Sequence, residues 1–196
     1  ILNKGFMVLT ARYYPNASTW GNQNSIDAYV TAYNYVKERI AIGPVAFIAV
    51  SMGGIESLNV LIQGRIPGVR AWAGIVPTTS LYNNYAGSGG LGGGNFTALI
   101  KTAYGVASDG SDYVAKTNGY DPYLALPGAF NGIPMYVVAA TEDYAVPYSL
   151  NSQLFIAKFK PYLRETVVNT KAGDHTGDPS PYIADMANWL AAKCDI

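Results

Sequence analysis

Charge is scarce in this sequence. Asp, Glu, Lys and Arg make up 13% of its 196 residues, about half the roughly 25% of an ordinary globular domain. Thirteen basic residues balance thirteen acidic ones, so the formal net charge is zero. That argues against a nucleic-acid binder, which carries a basic excess. It gives no support to a polybasic membrane patch either. Cysteine occurs once, at Cys194, so no disulfide closes within the chain and an unpaired thiol is expected. Histidine also occurs once, at His175. One His and one Cys far apart do not make a zinc set, and no metal or other cofactor is expected. No apolar run approaches the ~20 residues that cross a bilayer. Asn3 and Lys4 follow Ile1-Leu2 at once, which is no signal peptide, and the first residue is not Met. A processed chain, a fragment, or part of something longer is the expectation. The glycine-rich tract Gly87–Gly94 lacks the trailing Gly-Lys-Ser/Thr of a phosphate loop.

What is present is an ordinary apolar fraction, 49%, in a length that suits one domain. Five short apolar runs read as strands: Phe6–Thr10, Val45–Val50, Val69–Val76, Pro134–Ala140 and Arg164–Asn169. Between them lie patterns with apolar residues three and four apart. Ile26, Tyr29, Val30, Tyr33, Val36 and Ile40 give one helical face over 25–42. Ile55, Leu58, Leu61 and Ile62 give another, stopped by Gly64. Further helices are predicted around 96–106, 149–159 and 181–193. Continuous apolar strands alternating with amphipathic helices predict an α/β fold, a mostly parallel sheet with helices on both faces. Residues 1–196 are expected to form one such domain. Residues 77–131 interrupt the rhythm for too long to be a routine connection and read as an insertion or lid.

The sharpest local feature is Ala49-Val50-Ser51-Met52-Gly53-Gly54. A buried strand ends at Val50 and a helix begins just after Ser51. So tight a turn strains the serine backbone and projects its hydroxyl from the carboxyl edge of the sheet, over a helix N-terminus. Small residues at 49 and 53 are expected to let the neighbouring backbone approach. This is the geometry of a nucleophile elbow, with Ala49 where the first glycine usually stands. The bland alternative is one more strand-to-helix turn. A nucleophilic serine needs a base, and His175 is the only candidate, in the loop Ala172–Gly177 after the fifth run. The base needs an orienting carboxylate. Asp143, in Thr141-Glu142-Asp143-Tyr144-Ala145-Val146-Pro147, follows the fourth run directly. Glu142, one residue away, can take the same role. Asp174 and Asp178 flank the histidine, too near in sequence to meet its outer nitrogen squarely.

The order Ser51, Asp143, His175, each on a loop after a strand, is that of the α/β-hydrolases. The chain resembles that family from its second residue to its last helix. Asn3-Lys4-Gly5-Phe6 looks like the family's helix end leading into its fourth strand. Ser51-Met52-Gly53-Gly54 is similar to the elbow of its lipase, esterase and dienelactone-hydrolase branches. Thr141–Pro147 resembles the acid loop and Gly173-Asp174-His175 the histidine loop. The resemblance implies hydrolysis of a carboxylic ester by acyl transfer to Ser51, with His175 as base and Asp143 orienting it. Met52 N–H would supply one donor to the oxyanion.

The family's second oxyanion donor comes from the loop after its third strand, and no such loop is found here. In the family that strand lies between the counterparts of Phe6–Thr10 and Val45–Val50. The resemblance therefore implies a partner for the sheet: an upstream segment of the parent chain, or a companion chain. Among pocket candidates, Tyr13 and Trp20 follow the first run, Tyr82 lies in the insertion and Tyr144 in the acid loop. Aromatics with polar tips suit an ester or an acylated glycan, though ordinary packing explains them as well. Sixteen tyrosines with so little charge fit an extracellular or virion-associated protein better than a cytoplasmic one. A hydrolase-like fold used only for binding or structure is the alternative. Transfer to an acceptor other than water would use the same residues.

Overall fold

Four of the five apolar runs become strands. The computed structural model describes residues 1–10, 19–87 and 93–196. Along the chain, α1 (Gln23–Lys37) precedes β1 (Val45–Val50), and α2 (Gly53–Gln63) follows it. Then come β2 (Val69–Ile75) and three helices, α3 (Leu81–Tyr85), α4 (Gly93–Tyr104) and α5 (Tyr113–Thr117). The chain closes with β3 (Met135–Ala140), α6 (Ser152–Phe159), β4 (Thr166–Lys171) and α7 (Ser180–Cys194). The sheet has order β1-β2-β3-β4, and each adjacent pair is parallel. This is the expected α/β arrangement. No helix among the described residues is long and apolar enough to cross a membrane.

Period-two alternation assigns each strand residue to a layer. On β3, Met135, Val137 and Ala139 face a core shared with Phe47, Trp72 and the helices α1, α2 and α6. Tyr136, Val138 and Ala140 face the other way, onto Met186 and Leu190 of α7. All six β3 residues are buried, which is why the run reads as continuously apolar. Phe130 packs edge to face on Phe155 and on Phe159 beneath the first layer. Each such side chain contributes roughly 1.5–3 kcal/mol by leaving water.

Helix ends follow local chemistry. Asn22 caps α1 by accepting from Ser25 N, and Gly64, left-handed at φ 61°, ends α2. The apolar spacing predicts α1 out to 42, but the helix stops at Lys37. Ile40 is 49% exposed, so the last turn has no core to pack against. β4 is displaced two residues from the predicted run because its ends match β3, from Met135 opposite Thr166 to Ala140 opposite Lys171.

The fifth run, Phe6–Thr10, is not a strand. After the short turn Leu2–Lys4 it crosses beside β1 with no regular structure. Phe6 packs against the α7 layer, while Met7, Val8 and Leu9 are exposed. The reason is the lack of a partner: β1 is an edge strand, and among the described residues no hydrogen bond joins 6–10 to it. Ile48 and Val50 of β1 are 42% and 56% exposed. A groove of about 560 Å³ separates the two runs, lined by Met7, Leu9, Tyr33, Val36, Ala46 and Ile48 among others.

Between β2 and β3 the chain forms the helical crossover α3–α5. Leu81, Ile100, Val106 and Tyr113 of that segment pack with Ile55 of α2 and with Trp20. Part of the glycine-rich tract, 88–92, lies outside the described residues.

Candidate active site

Two strained residues mark the carboxyl edge of the sheet. Ser51 has φ +51° and Val76 has φ +43°, values that side-chain-bearing residues rarely adopt and that cost about 1–3 kcal/mol each. They end the neighbouring strands β1 and β2. Ser51 N donates to Ile75 O at 3.0 Å, and Val76 N to Val138 O at 2.7 Å. The Ser51 carbonyl accepts from Gly54 N and from Thr78 N, both at 2.9 Å. The turn is thus tied to its own helix and to the loop after β2. The small residue that the turn requires is Gly54, where an added Cβ would meet Pro77 and Thr78 closer than 3.0 Å. At Gly53, which the sequence pattern singles out, it would meet nothing within 4 Å.

Ser51, His175 and Asp143 lie in one hydrogen-bonded line. His175 Nε2 is 2.8 Å from Ser51 Oγ, and His175 Nδ1 is 2.7 Å from Asp143 Oδ2. The Asp143 side chain is 1% exposed and that of His175 is 23% exposed. Asp143 Oδ1 accepts from Ala145 N at 3.0 Å and Val146 N at 2.7 Å. Both carboxylate oxygens are therefore held, one by the loop's own backbone and one by the imidazole. Glu142 is exposed, and among the described residues only its backbone is engaged, donating to Gly173 O. Asp174 turns onto Thr176: the Thr176 hydroxyl first, then its N–H, hold the Asp174 carboxyl below the usual aspartate range. Buried Lys171 donates to Asp174 O at 2.8 Å and supports the histidine loop from beneath.

Met52 follows Ser51 at the N-cap of α2. Its N–H has no hydrogen-bond partner among the described residues. A helix N-terminus favours developing negative charge, so a carbonyl oxygen held there would find one donor.

The aromatic candidates separate. Trp20 is 3% exposed, packed edge to face on Phe96 at 5.1 Å, and belongs to the core under the crossover rather than to an open wall. Tyr82 and Tyr144 are exposed. Tyr13 lies outside the described residues. Thr78, whose N–H fixes the serine turn, was not singled out from sequence. Its one signal is the neighbouring Pro77, which biases Val76 away from helical backbone.

No protein-family model matches the sequence, and no curated protein does. Solved structures do match. A prolyl endopeptidase superposes with TM-score 0.67 at 18% identity, over 91% of this chain and 26% of that one. Oligopeptidase B from Leishmania major gives 0.67 at 16%, over 93% and 25%. A cold-adapted esterase from an Arctic intertidal metagenomic library gives 0.52 at 13%, over 87% and 56%. This chain thus spans about a quarter of the peptidases and just over half of the esterase. With the parallel sheet and its covering helices, these matches show the α/β-hydrolase fold.

Proposed function

We propose that this α/β-hydrolase-fold chain is a serine hydrolase that cleaves a carboxylic ester through an acyl-enzyme on Ser51. The observation that carries the reading is the line Ser51–His175–Asp143, 2.8 and 2.7 Å between neighbours. Ser51 Oγ attacks the carbonyl carbon while His175 Nε2 takes its proton. Asp143, buried and accepting from Nδ1–H, fixes the tautomer and stabilises the imidazolium. The oxyanion accepts from Met52 N–H. His175 then returns the proton to the leaving alkoxide, and water repeats the sequence to release the acid. Ester, aryl ester and acylated glycan all present such a carbonyl. The structural neighbours are named as peptidases and an esterase, so amide cleavage by the same residues is the other arm of the test. A fluorophosphonate probe should label the protein, and Ser51→Ala should abolish labelling. Labelling that survives the substitution overturns the reading, and turnover of aryl esters against peptide amides then sets the substrate class.

We also propose that a strand from the same polypeptide, outside residues 1–196, lies in the groove between β1 and Phe6–Thr10. The open edge of β1 and the run Phe6–Thr10, which pairs with nothing among the described residues, face each other there. Each buried backbone group left unpaired would cost roughly 1–3 kcal/mol. The loop after that strand would bring the second oxyanion donor. Loss of one such donor typically lowers kcat by 10²–10³. A companion chain is the alternative source. That the described residues offer one donor, Met52 N–H, is also what favours the second reading, a hydrolase-like module that binds without turnover.

A further inference from the structure

Asn151 joins two loops that carry different parts of the candidate site. It lies after β3, eight residues beyond Asp143, and is 1% exposed. Its Oδ1 accepts from Thr79 N at 3.1 Å, Ser80 N at 3.3 Å and Asn84 Nδ2 at 3.1 Å. Two of those donors are main-chain N–H groups, so the atom facing them is the oxygen. Asn151 N donates back to Pro147 O at 3.0 Å. A second tie runs beside the first, from Asn83 Nδ2 to Leu150 O at 2.6 Å.

These bonds close a ring. Thr78 N holds the Ser51 carbonyl. The next two residues, Thr79 and Ser80, are held by Asn151. Asn151 holds Pro147, and Val146 N holds Asp143 Oδ1. Asp143 holds His175, which meets Ser51 Oγ. Every link is a hydrogen bond or one step along the backbone. The ring fixes the separation between the serine turn and the acid loop, which the sheet alone sets only to within loop freedom.

We propose that Asn151 is a positioning residue that sets the Ser51-to-Asp143 separation and thereby places His175 between them. The inference rests on the reading of Ser51, His175 and Asp143 as the reacting groups. An alanine at 151 would leave Thr79 N and Ser80 N buried without an acceptor, and the loop after β2 would move to find one. An aspartate would keep the acceptor oxygen in place.

The test is fluorophosphonate labelling of the intact protein and of Asn151→Ala and Asn151→Asp, over a range of probe concentrations. A misplacement of about 1 Å costs on the order of 10²-fold in rate. Asn151→Ala should therefore lower the maximal labelling rate constant on the order of 10²-fold, with half-saturating concentration and final stoichiometry kept. Asn151→Asp should recover most of that loss. A role in folding alone gives the opposite split, lower stoichiometry at an unchanged rate constant, and overturns the proposal. So does an unchanged rate constant at full stoichiometry. An intact protein that is not labelled at all sinks the hydrolase reading instead. The downfield Nδ1–H proton resonance of His175 then decides for Asn151: its loss in Asn151→Ala upholds the positioning role, and its persistence overturns it.

Discussion

A side-chain carbon on Gly54 would stand 2.6 Å from the Thr78 carbonyl oxygen and 2.8 Å from Pro77 Cβ. Neither neighbour is the free end of a flexible chain. The same loop donates Thr78 N to the Ser51 carbonyl, so pushing it away also loosens the serine turn. Gly54→Ala is expected to cost about 1–3 kcal/mol, the usual range for overpacking, and to slow Ser51 labelling. Gly53→Ala meets open space and removes glycine from a helix, so it should be neutral or gain up to about 1 kcal/mol. Denaturant unfolding of both variants checks the contrast. Equal costs would mean that contact with the 77–78 loop does not hold the turn.

The strand runs are legible because both faces of this sheet are covered, so Met135–Ala140 reads as an unbroken apolar segment and Val69–Ile75 as one broken only at Arg70. Ser51, Asp143 and His175 are legible as candidates because each lies in the loop that follows a strand. Phe6–Thr10 departs from its expected strand for a physical reason. Its composition states that it wants a ladder, but composition does not state whether a partner strand is present. For Trp20 the sequence leaves pocket wall and ordinary packing open, because an aromatic after a strand looks alike whether it faces a cleft or a crossover helix, and the structure shows packing. Its burial depends on Phe96 and Ile100, about eighty residues away in sequence. Gly54 against Thr78 and Asn151 against Thr79 are likewise long-range contacts, invisible to any local pattern.

The two neighbouring carboxylates of the acid loop make opposite predictions. Asp143 accepts from His175 and from two backbone N–H groups, whereas Glu142 is exposed. Asp143→Asn offers the imidazole a group that favours the wrong tautomer, and kcat is expected to fall by up to about 10⁴. Glu142→Gln should stay within a few-fold of the parent. Aryl ester hydrolysis checks both. A large loss in Glu142→Gln with Asp143→Asn near normal would reassign the role.

Glu56 carries a pH dependence. It lies in the first turn of α2 and accepts from the Thr19 hydroxyl. Burial pushes its carboxyl above the ordinary glutamate value of 4.5, and the Thr19 bond offsets only part of that. The folded state thus binds this proton more tightly than the unfolded chain does. Ionising Glu56 therefore destabilises the fold. The penalty is absent below about pH 4.5 and grows as pH rises through the raised folded value. Glu56→Gln keeps an acceptor for Thr19 and cannot ionise. Its unfolding midpoint should exceed the parent's at pH near 8 and converge with it near pH 4. A gap that is constant across that range, or reversed at high pH, would place the effect elsewhere.

The open edge of β1 makes the last prediction. Val45 N donates to Gly68 O, just before β2, and Ser51 N to Ile75 O, its last residue. In a parallel strand the direction alternates, so Phe47 and Ala49 also point toward β2. Ala46, Ile48 and Val50 then aim their N–H groups at the groove, where no described residue accepts them. An unpaired apolar edge of this kind invites another chain. In a polypeptide of residues 1–196 alone, the amides of Ala46, Ile48 and Val50 should exchange with deuterium far faster than those of Phe47 and Ala49. In a longer polypeptide that supplies the missing strand, the two sets should be protected alike. Isolated 1–196 should also self-associate, and Ile48→Lys should reduce that by charging the edge. The strand proposal fails if Ala46, Ile48 and Val50 remain as unprotected in the longer polypeptide as in the short one. It would be redirected to a companion chain if protection appeared only on adding a separate polypeptide.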